Sequence, residues 1–573
     1  MKEKNLHRSF REKFALVLIA GAVFIRQSVC SAEWTPPMGI PDPGFGITTT
    51  HQMYSDPATT YDFGLGPVPY PATANGPYTH YVDVGGAAAT DTGNPFGSPL
   101  KPRKTIPLNL PAGSVVEIHG GPYSQGTFNG NAYIGVCGIG TATRPIFVRG
   151  VSAAMRPTFS RNVTVFGSHL ILENINFNAT NIGVRADLSP GAADSDHLVF
   201  RHLIMAGNSI ASGFSTAIGG IGAWNDPNKP KVANVVVWDN TISDYGDWHQ
   251  SAAENDYIGV SVDGYNASDV WILDNTISHM GGDSVRVGSN PVAAYPLYTS
   301  HRVYVGRNLL YENHENALDI KGIFDVVVSQ NQMYGFSPST SDPGAAIPIH
   351  YGCSNVWIVA NKIHHSAVGI ACSDAGEVYV VGNTFGDLGD GIRFWSNAEI
   401  HMVGNTFVRF GLGINNNGNS AQPHPLINNI FTGLSDKTSG YHIKLQSGAA
   451  ALSAMQNNLI YEADGTFRVF WGASYTSLGA FQAATGKGEG CVLGNPRFLD
   501  ESNSDFRLNA ASAARDSGVS LSYYTGLFSS RFGSAINLDM GGVTRPTVGR
   551  WDIGAIQSAR PAAPSRLRTV PRP

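Results

Sequence analysis

The sequence predicts an all-β solenoid, a stack of rungs built from short parallel strands, and three observations carry that expectation. The chain of 573 residues holds 66 Gly and 33 Pro but only 14% charged residues, a balance that favours turn-rich β architecture over helical bundles. One phrase recurs along its middle: NVVVWDNTIS (234–243), DVWILDNTIS (269–278), RVYVGRNLLY (302–311), DVVVSQNQMY (325–334), NVWIVANKIH (355–364), EVYVVGNTFG (377–386) and EIHMVGNTFV (399–408). Its Asn falls at 240, 275, 308, 331, 361, 383 and 405, in steps of 35, 33, 23, 30, 22 and 22, so a unit of 22 residues accepts insertions.

The N-terminus comes first. Basic residues precede an apolar run from Phe14 to Ile25, and Cys-Ser-Ala follows before Glu33, so residues 1–32 are expected to be a secretory signal. The apolar run is too short to span a bilayer unaided, and no later segment has the length of a membrane helix. Residues 1–32 carry six Lys or Arg and two Glu; removing that +4 from the net −5 leaves −9 on the remainder. A field of that sign disfavours nucleic acid as a partner. Residues 33–104, rich in Pro, Gly, Tyr and Thr, are expected to form an irregular N-terminal extension and cap, and 105–470 the coil itself.

Within the coil, an Asn at one place per rung has a structural explanation. It tolerates a left-handed bend, and its amide can hydrogen-bond to the same amide one rung away. The Asn column, with weaker echoes at Asn174, Asn429 and Asn458, is therefore expected to be a scaffold ladder and not a catalytic set.

A further strand follows each phrase: YIGVSVDG (257–264), DSVRVGS (283–289), NALDIKG (316–322), AAIPIHYG (345–352), VGIACSD (368–374) and DGIRFWS (390–396). Side chains alternate across a strand, so turning Val260/Val262, Val285/Val287, Leu318/Ile320, Ile347/Ile349, Ile370/Cys372 and Ile392/Phe394 inward fixes the outward residues. One outward column then reads Ser261, Arg286, Asp319, Pro348, Ala371, Arg393, and the next Asp263, Gly288, Lys321, His350, Ser373, Trp395. Rungs stack about 4.8 Å apart. Arg286, Asp319, Lys321, His350 and Asp263 are thereby expected to share one patch. The longer rung steps occur beside it, so loops 244–257, 289–301 and 335–345 are expected to wall a groove. They carry Trp248, His249, Tyr257, Tyr295 and Tyr298, residue types suited to stacking on sugar rings.

Beyond the coil, residues 471–558 are expected to form a C-terminal cap that protects the open strand edges, and 559–573 (ARPAAPSRLRTVPRP) a disordered basic, proline-rich tail. Cys137, Cys353, Cys372 and Cys491 form no CxxC pair, which gives a zinc ribbon no support. Cys353 with Cys372 is the pair that the repeat brings closest; buried free thiols are the alternative.

The repeat resembles the right-handed parallel β-helix of the pectate lyase-like superfamily. The leader implies a secreted or periplasmic protein, a monomer is expected, and the resemblance implies action on an acidic polysaccharide. Elimination across a uronate linkage needs a base for the proton α to the carboxyl group and a cation to neutralise that carboxylate. Lys321 or His350 is the candidate base, and Arg286 the neutraliser. Pairing of Arg286 with Asp319 is expected to offset the upward pull of that carboxylate on Lys321. Asp263, Trp248, His249, Arg393 and Trp395 are the candidate substrate-binding residues. The lysine-plus-arginine sites of chondroitinase B-like and alginate-cleaving β-helix lyases are similar, except that their arginine follows the lysine whereas Arg286 precedes Lys321. Calcium, frequent in such families, would draw on Asp256, Asp263, Asp283 and Glu315, although no compact acidic loop is present. Glycoside hydrolysis through paired carboxylates, a uronan epimerase, and a non-catalytic carbohydrate-binding solenoid are the alternatives. The paired-aspartate polygalacturonase signature and the Asp-Pro-His motif of mannuronan epimerases are missing, as are a phosphate loop, a GxSxG elbow and an HExxH pair.

Overall fold

The structure, a computed structural model, describes residues 33–51, 61–62, 67–68, 78–188, 193–208, 215–249, 256–339, 342–395, 397–418, 422–547 and 549–558. The expected leader and tail lie outside the described residues. From Pro36 onward the chain forms one body. Among the described residues thirty-seven strands join a single sheet that coils on itself, in which strands pair in parallel with their counterparts one rung later, apart from the antiparallel end strand Ser474–Tyr475. This ladder reaches back to His80–Asp83, inside the segment expected to be an extension, and its last parallel member is Val469–Trp471.

Three strand columns build a rung. In one representative turn they are Ala267–Leu273, Thr276–Ser278 and Val285–Gly288, paired with His301–Gly306, Leu309–Tyr311 and Leu318–Lys321 of the next. Period-2 alternation decides what fills the coil. Val270, Ile272, Ile277, Val285 and Val287 are all fully buried in one continuous apolar core, stacked on Val303, Val305, Leu310, Leu318 and Ile320.

The corner between the first two columns is made by the Asn ladder. Each Nδ2 donates to the Oδ1 of the next Asn, at 2.9 Å from Asn240 to Asn275, 3.0 Å from Asn275 to Asn308 and 2.9 Å from Asn308 to Asn331. The chain continues through Asn361, Asn383, Asn405 and Asn429 to Asn458. The left-handed bend belongs to the residue before each Asn (Asp239, Asp274, Arg307, Gln330, Ala360), which frees the Asn itself to stack. Asn174 is such a bend residue and no ladder member, because Ile175 occupies the stacking position.

The outer face of the first column is covered by two segments that flank the coil in sequence. Residues 36–51 run across successive rungs: Gln330 Oε1 accepts from the Met38 amide (2.8 Å), Ser329 Oγ donates to the Met38 carbonyl (2.6 Å), Trp271 donates to the Pro41 carbonyl (2.9 Å), and Arg201 donates to the Thr49 carbonyl (2.9 Å). The helix Ser522–Phe532 covers later rungs of the same face, with Phe528 against Trp357 and Tyr524 against Tyr379. Ser534 Oγ donates to the Gly39 carbonyl at 2.7 Å, so the two coverings meet. The helix Leu478–Thr485 buries Phe481 against Trp471 and Tyr475 at the last rungs. With the first face occupied, the third column is the face that carries concentrated charge.

Candidate functional site

Register on the third column follows the alternation of the sequence. Ser261 pairs with Arg286 and Arg286 with Asp319, while Gly288 pairs with Lys321 and Lys321 with His350. Neighbouring core residues in the same strands are fully buried, so the polar residues between them face away from the core. Two rungs beyond Pro348 the same columns carry Arg393 and Trp395.

One carboxylate organises the centre of the patch. Asp319 Oδ2 lies 2.6 Å from Lys321 Nζ, and its Oδ1 lies 2.9 Å from His350 Nε2. The Asp319 side chain is 4% exposed, whereas Lys321 and His350 are 21% and 26% exposed, so the acid is sunk and its two partners reach the surface. Burial opposes the charge on Asp319, but the hydrogen bond from His350 and the field of Lys321 outweigh it and hold its pKa below the ordinary value. Burial likewise opposes the charge on Lys321, yet Asp319 and then Asp283 raise its pKa above that of a free lysine. His350 also stacks on Tyr351, with ring centroids 4.3 Å apart.

The expected pairing of Arg286 with Asp319 gives way to a different arrangement. Arg286 NH2 donates to Ser261 Oγ (2.7 Å) and lies 3.6 Å from Asp263 Oδ1. Its guanidinium carbon is 4.4 Å from the ring centroid of Trp224, a residue that is itself 40% exposed. With its side chain only 4% exposed, Arg286 cannot meet a substrate carboxylate while the indole covers it. Burial raises the Asp263 carboxyl to about 6, against the opposing pull of Arg286.

The remaining sequence candidates separate. Arg393 pairs with Asp390 at 2.6 Å, and Trp395 packs on Ala345, Val368 and Ala371. Trp248 stacks on His279 (4.5 Å) and touches His249, which puts both at the corner after the second column and not against Asp319. Tyr257 points into the core. Tyr298 instead packs on the turn after Lys321: Gly322, with φ +48°, leaves the space its ring uses, and a Cβ there would be 2.0 Å from that ring. Cys353 and Cys372 are free buried thiols, and Cys353 donates to the carbonyls of Ile320 and His350. Trp224 was not singled out by the repeat, since its strand lacks the recurring phrase; the Gly-rich break GGIGAW (219–224) was the signal available.

The sequence of residues 297–462 matches the family model described as a right handed beta helix region. The chain is a right-handed parallel β-helix. Among solved structures this β-helix is similar to a mannuronic acid specific polysaccharide family 6 lyase from human gut microbiota, at 15% identity over 70% of this chain and 89% of that one, with a TM-score of 0.42. It is also similar to pectate lyase Pel9A (13% identity, 85% of this chain and 98% of that one, TM-score 0.36). The periplasmic alginate epimerase AlgG is a third (10% identity, 57% and 74%, TM-score 0.35). No curated protein matches the sequence. No helix among the described residues is long and apolar enough to cross a membrane.

Of the calcium candidates of this β-helix, Asp256 and Glu315 lie near enough to Asp283 to act on its charge, whereas Asp263 stands apart. Among the described residues no group of three or more His, Cys, Asp or Glu is placed to hold a metal ion, and Asp263 is turned to Arg286. Asp283 has another character. It is 3% exposed, and its Oδ1 has no hydrogen-bond partner among the described residues. Burial first, then the carboxylates of Asp319 and Glu315, push its pKa well above the ordinary range. An unfolded Asp releases its proton near about pH 3.9, so the native state binds the extra proton above that pH and loses stability as pH rises. Asp283→Asn is therefore expected to melt close to wild type at pH 4 and above it at pH 8. Thermal scans giving the same offset at both pH values would remove the charge explanation.

Proposed function

We propose that this β-helix is an exported, monomeric enzyme that cleaves a uronate-containing polysaccharide by β-elimination. The observation that carries the reading is the shared Asp319 carboxylate, with Lys321 and His350 held on adjacent rungs of one exposed column. The ionised Asp319 favours the charged form of Lys321, which suits it to neutralise the uronate carboxylate and disqualifies it as the base. His350 is the base. Its Nε2 faces Asp319, which assigns that nitrogen as the donor and leaves Nδ1 to take the proton α to the carboxyl group. Asp319 then stabilises the imidazolium, as a buried carboxylate does beside any histidine base. The electron pair of the broken C–H bond passes into an enolate held by Lys321. As it returns, the C4–O4 bond breaks, a C4–C5 double bond forms, and the imidazolium supplies the proton to the departing oxygen. Arg286, beneath Trp224, fits a positioning role better than the neutralising one.

Glycoside hydrolysis is the second reading, favoured by Asp263 and Asp283 being held toward their protonated forms close to an ionised Asp319. Incubating the purified chain with alginate, polygalacturonate and glucuronate-containing polymers separates the two. Elimination is expected to produce new reducing ends together with ultraviolet absorbance from the unsaturated sugar. Reducing ends without absorbance would replace elimination by hydrolysis, and an altered sugar configuration without cleavage would indicate an epimerase.

A further inference from the structure

Trp224 stands where the strand Ser215–Ile221 leaves the ladder. Ile218 pairs with Val260 and Ile221 with Val262, three positions against two, so one extra residue bulges out of the strand. Gly220 permits it: its φ is +73°, and a Cβ would lie 2.3 Å from the Val184 carbonyl oxygen. Immediately after, Ala223 and Tyr265 exchange backbone hydrogen bonds of 2.7 and 3.1 Å in an antiparallel bridge. Bulge and bridge turn the chain outward, and the indole that follows is carried along the axis to the level of Arg286, two rungs later.

A fold gains little from this. Trp224 remains 40% exposed, and the cation beneath it is buried, with Asp263 at 3.6 Å as a counter-charge. An exposed aromatic face held rigidly from below is what a binding platform needs, because little side-chain entropy remains to be lost when a ligand arrives. The cation behind the ring adds selectivity: its field favours an anionic sugar over a neutral one. Arg286 lies two rungs from His350, roughly 10 Å along the axis at about 4.8 Å per rung. A short run of linked pyranose rings spans that interval.

We propose that Trp224, backed by Arg286, is a sugar-stacking subsite that grips a uronate ring on the chain being cut, away from the bond that breaks. This rests on the elimination reading and adds to it a length requirement: substrates too short to reach from His350 to Trp224 bind without the platform.

The test uses the full chain and its Trp224→Ala and Trp224→Phe variants with size-graded oligosaccharides of mannuronate, guluronate and galacturonate, reading KM, kcat and the dissociation constant from titration calorimetry. For long oligosaccharides Trp224→Ala is expected to raise KM and Kd about tenfold with kcat nearly unchanged, and Trp224→Phe to recover most of the loss. For the shortest cleavable oligosaccharides the variants and wild type are expected to coincide. A penalty equal at all lengths, or absent at all lengths, overturns the subsite while the elimination reading stands. A wild-type chain that binds and cuts none of these sugars overturns both.

Discussion

His350→Ala is expected to lower kcat on the cleaved polymer by about 10²–10⁴-fold, the range that a positioned general base supplies, with the fold retained. The side chain is 26% exposed, and its link to the coil beyond its strand is the hydrogen bond to Asp319. Its removal opens no core cavity, because Ile347 and Ile349 fill the interior side of the same strand. Lys321→Ala should also lower kcat, since the enolate charge then loses its cation. The two variants differ in their rescue: added imidazole is expected to restore part of the rate to His350→Ala and none to Lys321→Ala. Initial rates of double-bond formation, with thermal scans as the folding control, decide the matter. A His350→Ala protein that cuts at the wild-type rate would sink the assignment of the base.

Asn361→Ala is expected to produce the largest loss of stability, about 4 kcal/mol, although it touches no part of the site. Asn361 Oδ1 accepts from both the backbone amide and the Nδ2 of Asn331, at 2.9 Å each. Its own Nδ2 donates to the Val328 carbonyl (2.9 Å) and to Asn383 Oδ1 (3.0 Å). Truncation leaves several fully buried groups without partners, and each orphaned group costs about 1–3 kcal/mol. At the end of the ladder, Asn458 hands its amide to the carbonyls of Leu426 and Gln456 and supports no further Asn, so Asn458→Ala should cost less. Denaturant titration of the two variants tests this; equal losses would mean that the ladder acts as independent turns and not as a connected column.

The stack, its phase and its facing were legible because all three follow from periodicity. Ser261, Arg286 and Asp319 stack where alternation put them, as do Gly288, Lys321 and His350, and the ladder extends to the echoes at Asn429 and Asn458. Partner choice was not legible. Alternation says that Arg286, Asp319, Asp263 and Lys321 share a face, but each long side chain there has rivals within one rung on either side. Arg286 met Ser261 and Asp263 on the preceding rung because Trp224 closes over it from that direction. Trp224 itself was hidden, since a bulge breaks the pattern by which neighbouring residues were found. The left-handed bend was placed one residue late for a related reason: the prominent Asn drew attention, while its predecessor changes identity from rung to rung.

Arrays of stacked repeats ordinarily lose their outermost turns first, since each turn is held only by its neighbour. Here Gly39 is packed beneath Phe528 and Ile536 and bonded to Ser534, a clasp between positions 495 residues apart. The two segments that flank the coil, 36–51 and 522–536, are thus fastened across the stack, so unravelling from either side must first break a junction far from the loosened turn. The native state is sealed only once residues 522–536 are in place, which makes a quasi-one-dimensional architecture behave as one cooperative body.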